Sequence, residues 1–440
     1  MKTYDVIGVG IGPFNLGLAA LLEDKPIESI FFDKKESFNW HPGLMIDSTT
    51  LQVPFLADLV TMVDPTNKFS FLNYLKEKGR LYKFYFKENF LILRQEYNDY
   101  CQWTSTQCKS CNFDSEVINI EHDNSTEEVW AVTIRNSNKE TTKFLAKNIV
   151  FGLGSKASLP NPISQNKKIY HSSEYLNVKN DILTDKHITI LGSGQSAGEI
   201  FLDLMKSKND DTDISWVTRS KGFFPMEYSK LGLEHFSPEH IDYFYNLKND
   251  TKSKLISEQD LLYKGISAKT ISDIYDVLYE NDLKNNKSNI NLITNSSLKN
   301  AYTCDDKLDC YFHHSYQEKD FLINTDRVIA ATGYKHDIQP ALKNIECCID
   351  RDINGNLDIT RDYRIKTKNT KLTIFVQNAE ILSHGVGTPD LGLGSYRNAI
   401  IINQLLKDEV YKLSQNNVFA DFGVPQKYQI EHDYKNLISA

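Results

Sequence analysis

Apolar residues along the chain fall into two similar arrangements: a short apolar run, a glycine-rich turn, a longer run with helical spacing, and a second short run. The first arrangement predicts strands over residues 4–8 and 29–33 with a packed helix over 16–22 between them. The second predicts strands over 187–190 and 214–219 around a helix over 197–206. Asn148–Gly154 reads as a buried strand running into glycines, and Leu159-Pro160-Asn161-Pro162 as a link. Beyond Arg219 the pattern turns polar and helical, over 238–247, 255–262 and 268–279. Asp326–Tyr334 then predicts a strand and tight turn, 372–377 a strand, and 395–407 a final helix. The fold expected is α/β, with two Rossmann-like dinucleotide-binding domains and a smaller helical insertion. Residues 1–160 and 346–440 form the first domain in this reading. Residues 161–345 form the second, with the insertion at about 225–290 and placed over the mouth of the site.

The two turns differ in chemistry. The first reads Gly8-Val9-Gly10-Ile11-Gly12-Pro13-Phe14 and its second strand ends in Asp33. The second reads Gly192-Ser193-Gly194-Gln195-Ser196 and its second strand ends in Arg219, with Lys221 close behind. Each turn aims helix N-terminal amides at a pyrophosphate. An acid about twenty residues on bonds an adenosine ribose, whereas an arginine there suits a 2′-phosphate. The first site is therefore expected to hold FAD, with NAD the alternative, and the second NADPH. Pro13 replaces the usual third glycine, which a first helical position tolerates because its N–H has no partner to lose.

A net charge of −8, without a basic run bearing interleaved aromatics, argues against a nucleic-acid partner. No apolar stretch reaches the roughly eighteen residues of a membrane span. Asp5 and the glycines within the opening run do not make a secretory signal, and the expected location is cytoplasmic. Seven cysteines fit a reducing compartment. Cys108-Lys109-Ser110-Cys111 has zinc-like spacing but no second ligand pair, so the pair reads as structural and no metal is expected.

Further residues add to this outline. They are Phe38-Asn39-Trp40-His41-Pro42-Gly43-Leu44-Met45, Leu51-Gln52-Val53-Pro54-Phe55, Asp58-Leu59-Val60, Asp64-Pro65-Thr66, Phe69–Leu75, the Ala331-Thr332-Gly333-Tyr334 turn, Asn378 and His384-Gly385. With the two glycine turns they run in order along nearly the whole chain. The chain thereby resembles the flavin-dependent N-hydroxylating monooxygenases of siderophore biosynthesis, the lysine and ornithine N-monooxygenase family. Broader flavin monooxygenases carry a Phe-x-Gly-x-x-x-His linker, of which His171-Ser172-Ser173-Glu174-Tyr175 keeps only the latter half.

The resemblance implies conversion of a primary amine and O2 to a hydroxylamine through a C4a-hydroperoxyflavin, in a homo-oligomer, dimer or tetramer. It implies Gln52 and Asn378 at the flavin and nicotinamide, with Trp40 and His41 walling the flavin. Thr332, Gly333, His384 and Leu393 are assigned to the cofactors as well. Without it, Gln52 reads as a surface glutamine, Trp40 as a core aromatic, Lys221 as a loop charge and His384 as a loop stabiliser. A free alkylamine titrates near 10.4, so a dry pocket is required to make it neutral and nucleophilic.

Family members acting on lysine or ornithine hold the substrate carboxylate with a lysine, an asparagine and a serine. The matching positions here are Ala57, Leu262 and Gly392. A desolvated carboxylate without its cation costs several kcal/mol. The expected substrate is therefore a decarboxylated amine, putrescine or cadaverine, with Asp390 as acceptor for the far ammonium or else as a helix-cap acid. The alternatives are histamine, then lysine or ornithine. From other classes come a non-oxygenating flavin reductase and a redox sensor.

Overall fold

A computed structural model describes residues 2–125, 127–160, 166–284, 289–336, 338–368 and 370–429. Strand Thr3–Val9 lies inside the first sheet, with Val6 and Ile7 fully buried. The sheet order is Arg364–Ile365, Thr373–Val376, Thr141–Phe151, Thr3–Val9, Ser29–Phe32, Cys111–Asn112. Thr3–Val9 pairs in parallel with both neighbours. Apolar side chains on both faces are what a parallel sheet needs, because helices cover it on each side. A hairpin, Glu116–Asp123 and Val129–Arg135, adds to the sheet through the long strand Thr141–Phe151.

Helix Pro13–Leu22 packs between this sheet and the final helix Gly392–Leu406. The packing is close: a Cβ on Gly394 would sit 2.8 Å from the Phe14 ring. The final helix starts three residues before the expected position. Asp390 explains the shift, because its Oδ1 accepts the Leu393 N–H at 3.0 Å and caps the first turn.

The second sheet is parallel throughout, in the order Ile169–His171, Arg327–Ala330, His187–Leu191, Asp213–Val217, Ile290–Ile293. Helix Gln195–Ser207 covers it, and Phe201 stacks on Trp216 at 4.7 Å. The helices Lys230–Leu233, Pro238–Tyr245, Asn249–Glu258 and Ala268–Lys284 lie between the last two strands of the sheet. The helix expected over 255–262 instead ends at Glu258. Asp260–Leu262 forms a separate 3-10 turn, and Glu227 N–H donates to the Leu261 carbonyl at 3.0 Å, tying it to the segment around Glu227.

Sequence reading did not foresee an antiparallel meander of Ser296–Cys304, Lys307–His314 and Lys319–Thr325. Its centre alternates, with Leu308, Cys310 and Phe312 buried and the residues between them more open. Among the described residues no helix is long and apolar enough to cross a membrane.

Candidate functional site

A cavity of about 1690 Å³ opens where the strands of the first sheet end in glycine turns. The crevice beyond the carboxyl ends of parallel strands is the usual ligand position in such sheets. Its volume exceeds the roughly 300–1,000 Å³ typical of a single small-ligand site.

On the N-terminal side Gly10, Gly12, Pro13, Phe14 and Asp33 line it. Gly10 has φ +88, and a Cβ there would lie 2.6 Å from the Gly152 carbonyl. Gly12 precedes helix Pro13–Leu22 in extended conformation without a side-chain cap, so the first amides remain available to an anion. Asp33 accepts N–H groups from Ile11 at 2.8 Å and Lys35 at 2.9 Å. Its remaining lone pairs suit ribose hydroxyls. Gly8 is not part of the wall. A Cβ there would meet the Phe31 ring at 1.9 Å, so this glycine serves strand packing.

Asn15 was missed in the sequence, although a lone amide in an apolar helix is itself a signal. Its Nδ2 donates to the Gly10 carbonyl at 2.8 Å, and its Oδ1 accepts from Gln377 Nε2 at 2.7 Å. This bond joins the glycine turn to the end of strand Thr373–Val376, so that Asn378, one residue on, reaches the cavity with a left-handed φ of 63. Behind it Arg397, from the final helix, lies 3.0 Å from Glu380, both buried.

Trp40, His41, Gln52 and Asn378 all line the cavity. His41 is open to it yet enclosed by the protein mass, and burial, then Arg94, pushes its imidazole down to about 4. The ring is therefore neutral. Gln52 Nε2 and Asn378 Oδ1 are buried without a hydrogen-bond partner in the protein. A buried donor and acceptor left unpaired cost about 1–3 kcal/mol each. Gln52 and Asn378 line one cavity, beside an uncapped helix N-terminus and a ribose acceptor, and unpaired amides in its wall fit a polar planar cofactor with a pyrophosphate.

The second glycine turn is built alike. Gly192 has φ +125 and a Cβ there would sit 2.3 Å from the Ala331 carbonyl. Gly194 leaves helix Gln195–Ser207 without a side-chain cap, and Ser196 lines the cavity. Arg219 and Lys221 are exposed just beyond strand Asp213–Val217. The Gln195 side chain, in contrast, is already spent. Its Nε2 donates to Glu199 and Thr270, and its Oε1 accepts from Ser267 N–H at 2.7 Å. Only its backbone N–H is left for a ligand.

Four other assigned residues have protein partners instead. Both His384 ring nitrogens are engaged, with Ser383 Oγ at 2.8 Å and the Arg361 carbonyl at 3.1 Å, and the ring stacks on Tyr363. It stabilises the loop because it has no free nitrogen. Thr332 Oγ1 donates to the Ser158 carbonyl, and the Gly333 carbonyl bonds His171 Nε2 at 2.9 Å, so this turn fastens the link between the sheets. Leu393 is buried against the position a Gly387 Cβ would take.

Ala57, Leu262, Asp390 and Gly392 come together at one end of the cavity wall. A Cβ on Gly392 would lie 3.0 Å from Asp390 Oδ1 and 3.6 Å from the Ala57 Cβ. Ala57 is set by Asp58, whose buried carboxylate accepts the N–H groups of Val60, Thr61 and Phe71. Burial pushes the Asp390 carboxyl up to about 6, against the opposing N–H bonds from Leu393 and Gly392. Met226 and Tyr228 complete this end, and nothing in the local sequence marked them. Arg94 also reaches the cavity, yet both its terminal nitrogens bond Glu199 at 2.8 Å. Cys108 and Cys111 are absent from the wall. Cys108 is buried, and its thiol is pushed up by the bond to Cys111 and then by burial.

A family model described as L-lysine 6-monooxygenase/L-ornithine 5-monooxygenase matches residues 2–336. The rhizobactin siderophore biosynthesis protein RhbE of Rhizobium meliloti (strain 1021) is 40% identical over 437 residues, spanning 97% of this chain and 96% of its own length. The putrescine N-hydroxylase of Shewanella oneidensis is 43% identical over 431 residues, spanning 95% of this chain and 84% of that protein. Among solved structures, FAD-bound DfoA, the cadaverine monooxygenase of Erwinia amylovora, superposes with a TM-score of 0.93 at 37% identity, covering 97% of this chain and 99% of that one. With its paired glycine turns, orphaned cavity amides and family match over most of its length, the chain belongs to the L-lysine 6-monooxygenase/L-ornithine 5-monooxygenase family of flavin-dependent N-hydroxylating enzymes.

Proposed function

We propose that this enzyme N-hydroxylates a small aliphatic diamine, putrescine ahead of cadaverine, with FAD, NADPH and O2, as a step of siderophore biosynthesis. The observation that carries the reading is the contact set at one end of the cavity. Ala57 and Gly392 meet with only room for a Cβ between them, and Asp390 stands beside both. An amino-acid substrate would bring a carboxylate to this end, against an acid and without a cation. A diamine brings a second ammonium instead, which an ionised Asp390 accepts.

The cationic lining residues Lys34, Lys35, Arg94, Arg135, Lys156 and Lys343 belong to other segments than those bearing Ala57, Tyr228, Leu262 and Asp390. Arg94 is held by Glu199, and Arg135 bonds Glu116 at 2.7 Å. The names of the relatives, putrescine N-hydroxylase and cadaverine monooxygenase, support the same substrate class.

FAD reduced by NADPH supplies the activated oxygen. The chain's own residues bind, orient and exclude water. The backbone N–H groups of Gly12 and Phe14 and the Asp33 carboxylate would hold the FAD diphosphate and ribose, and the Gln52 and Asn378 amides its ring and the nicotinamide. Arg219 and Lys221 would clamp the 2′-phosphate by charge-assisted bonds. Met62, Met226, Leu233, Phe236 and Leu262 are apolar members of the cavity wall. Such surroundings penalise the charged reacting amine and lower its value from about 10.4.

The test is coupled hydroxylamine formation with putrescine, cadaverine, histamine, ornithine and lysine. The diamines should lead in kcat/KM. Cadaverine should differ from putrescine by about one methylene's worth, ~0.8 kcal/mol. Ornithine or lysine turning over as well as the diamines would overturn the reading.

A further inference from the structure

Asp390 by itself is an incomplete partner for an ammonium. Its Oδ1 is already committed to the Leu393 N–H at 3.0 Å as a helix cap. A primary ammonium has three donors, and those left unpaired in an enclosed pocket are costly. An acceptor besides the carboxylate is needed at this end of the cavity.

Tyr228 lines the same cavity as Asp390. The one contact described for its hydroxyl is a long one to Met226 Sδ, at 3.9 Å, which leaves the oxygen lone pairs unused. Burial, and next the charge of Asp390, pushes the phenol up to about 12, so it stays a neutral hydroxyl near that carboxylate. The backbone on either side is held in place. Met226 N–H donates to the Ile266 carbonyl at 2.8 Å, and Glu227 N–H to the Leu261 carbonyl at 3.0 Å. Gly265 permits this approach, since a Cβ there would lie 2.5 Å from Met226 N. Tyr228 and Leu262 thus reach the cavity from two segments registered against each other.

We infer that the Tyr228 hydroxyl accepts a hydrogen bond from the far ammonium of the diamine and, with Asp390, sets the enzyme's preference for diamines over monoamines. This rests on the diamine reading above and adds to it a residue that determines specificity. The ammonium donates to both oxygens, while the methylenes lie along Met226 and Leu262.

The test compares KM for putrescine with KM for n-butylamine, which lacks the second ammonium, using FAD-loaded enzyme and hydroxylamine formation as the readout. Tyr228→Phe should shift the putrescine-to-n-butylamine KM ratio about tenfold against putrescine, the scale of a hydrogen bond to a charged group. Tyr228→Leu should do the same. The side chain is 36% exposed, so losing the hydroxyl spares the core, and flavin content verifies the fold of each variant. Asp390→Asn is measured alongside. A ratio moved by Asp390→Asn but by neither Tyr228 variant overturns the role of Tyr228 and leaves the diamine reading standing. A ratio moved by none of them overturns both.

Discussion

A single methyl or carboxyl decides much of what this site can bind. Asp390 sits at about 6 because desolvation opposes its charge. As the pH falls through that value it becomes neutral and loses its attraction for an ammonium. The KM for putrescine should therefore rise as pH drops from about 7 to 5, by more than the KM for n-butylamine rises. Parallel profiles for the two amines would remove Asp390 from substrate binding. Ala57→Lys places a cation beside Asp390, where it competes with the substrate's ammonium. It should raise the putrescine KM at least about tenfold, the scale of a charged hydrogen bond; an unchanged KM would place residue 57 outside the pocket. At His384 residue type read correctly as a loop stabiliser, and the cofactor role came from the resemblance; at Gln195 only the backbone is left to a ligand. Both are polar groups near glycine turns, and in both the side chain is consumed by protein partners.

Among elements, the two strand–turn–helix units were legible because local geometry demands their residues. Gly10 and Gly192 sit at positive φ with a carbonyl where a Cβ would be, and such positions announce themselves as glycine. Arg219, at the end of the second unit's second strand, gives a direct test. Arg219→Ala should raise the KM for NADPH about tenfold or more and narrow the preference over NADH, the effect of losing one charge-assisted contact. Equal preference in wild type and variant would remove Arg219 from the cofactor site. The final helix carries a signal that sequence reading overlooked, an arginine at a core position. Arg397 is buried against Glu380, over the Phe14 ring at 4.7 Å, and donates to the Thr388 carbonyl at 2.6 Å. Arg397→Met strands the Glu380 charge and should cost about 3–5 kcal/mol in urea unfolding. A loss below about 1 kcal/mol would mean that the pair does not hold the Asn378 loop.

On the scale of the molecule, the two sheets are fastened to one another by contacts far apart in sequence. Arg94, the first residue of helix Arg94–Gln107, forms a two-point ion pair with Glu199 on the helix of the second glycine turn. Gly43 lies so close to Ser173 that a Cβ would meet its carbonyl at 1.9 Å. Arg94→Ala should destabilise the protein by about 3–5 kcal/mol, with partial recovery when Glu199→Leu is added, because the uncompensated buried charge is then gone. Equal losses in the single and double variants would show that the pair contributes through something other than its charges.

The paired nucleotide units and the acid and arginine that distinguish them were written in the chain, because each unit depends on residues within one strand–turn–helix–strand stretch. Tertiary structure alone decided which side chains still had a free hydrogen-bonding atom. Gln52 and Asn378 kept one within the cavity wall, while His384 and Thr332 spent theirs on loops. It also brought Tyr228 and Asp390 to the wall of one cavity, and Arg94 against Glu199, across more than a hundred residues of chain. Hydrogen bonding saturates locally, but the partners that saturate it are set by packing between distant segments. No spacing rule along a strand or helix encodes that choice.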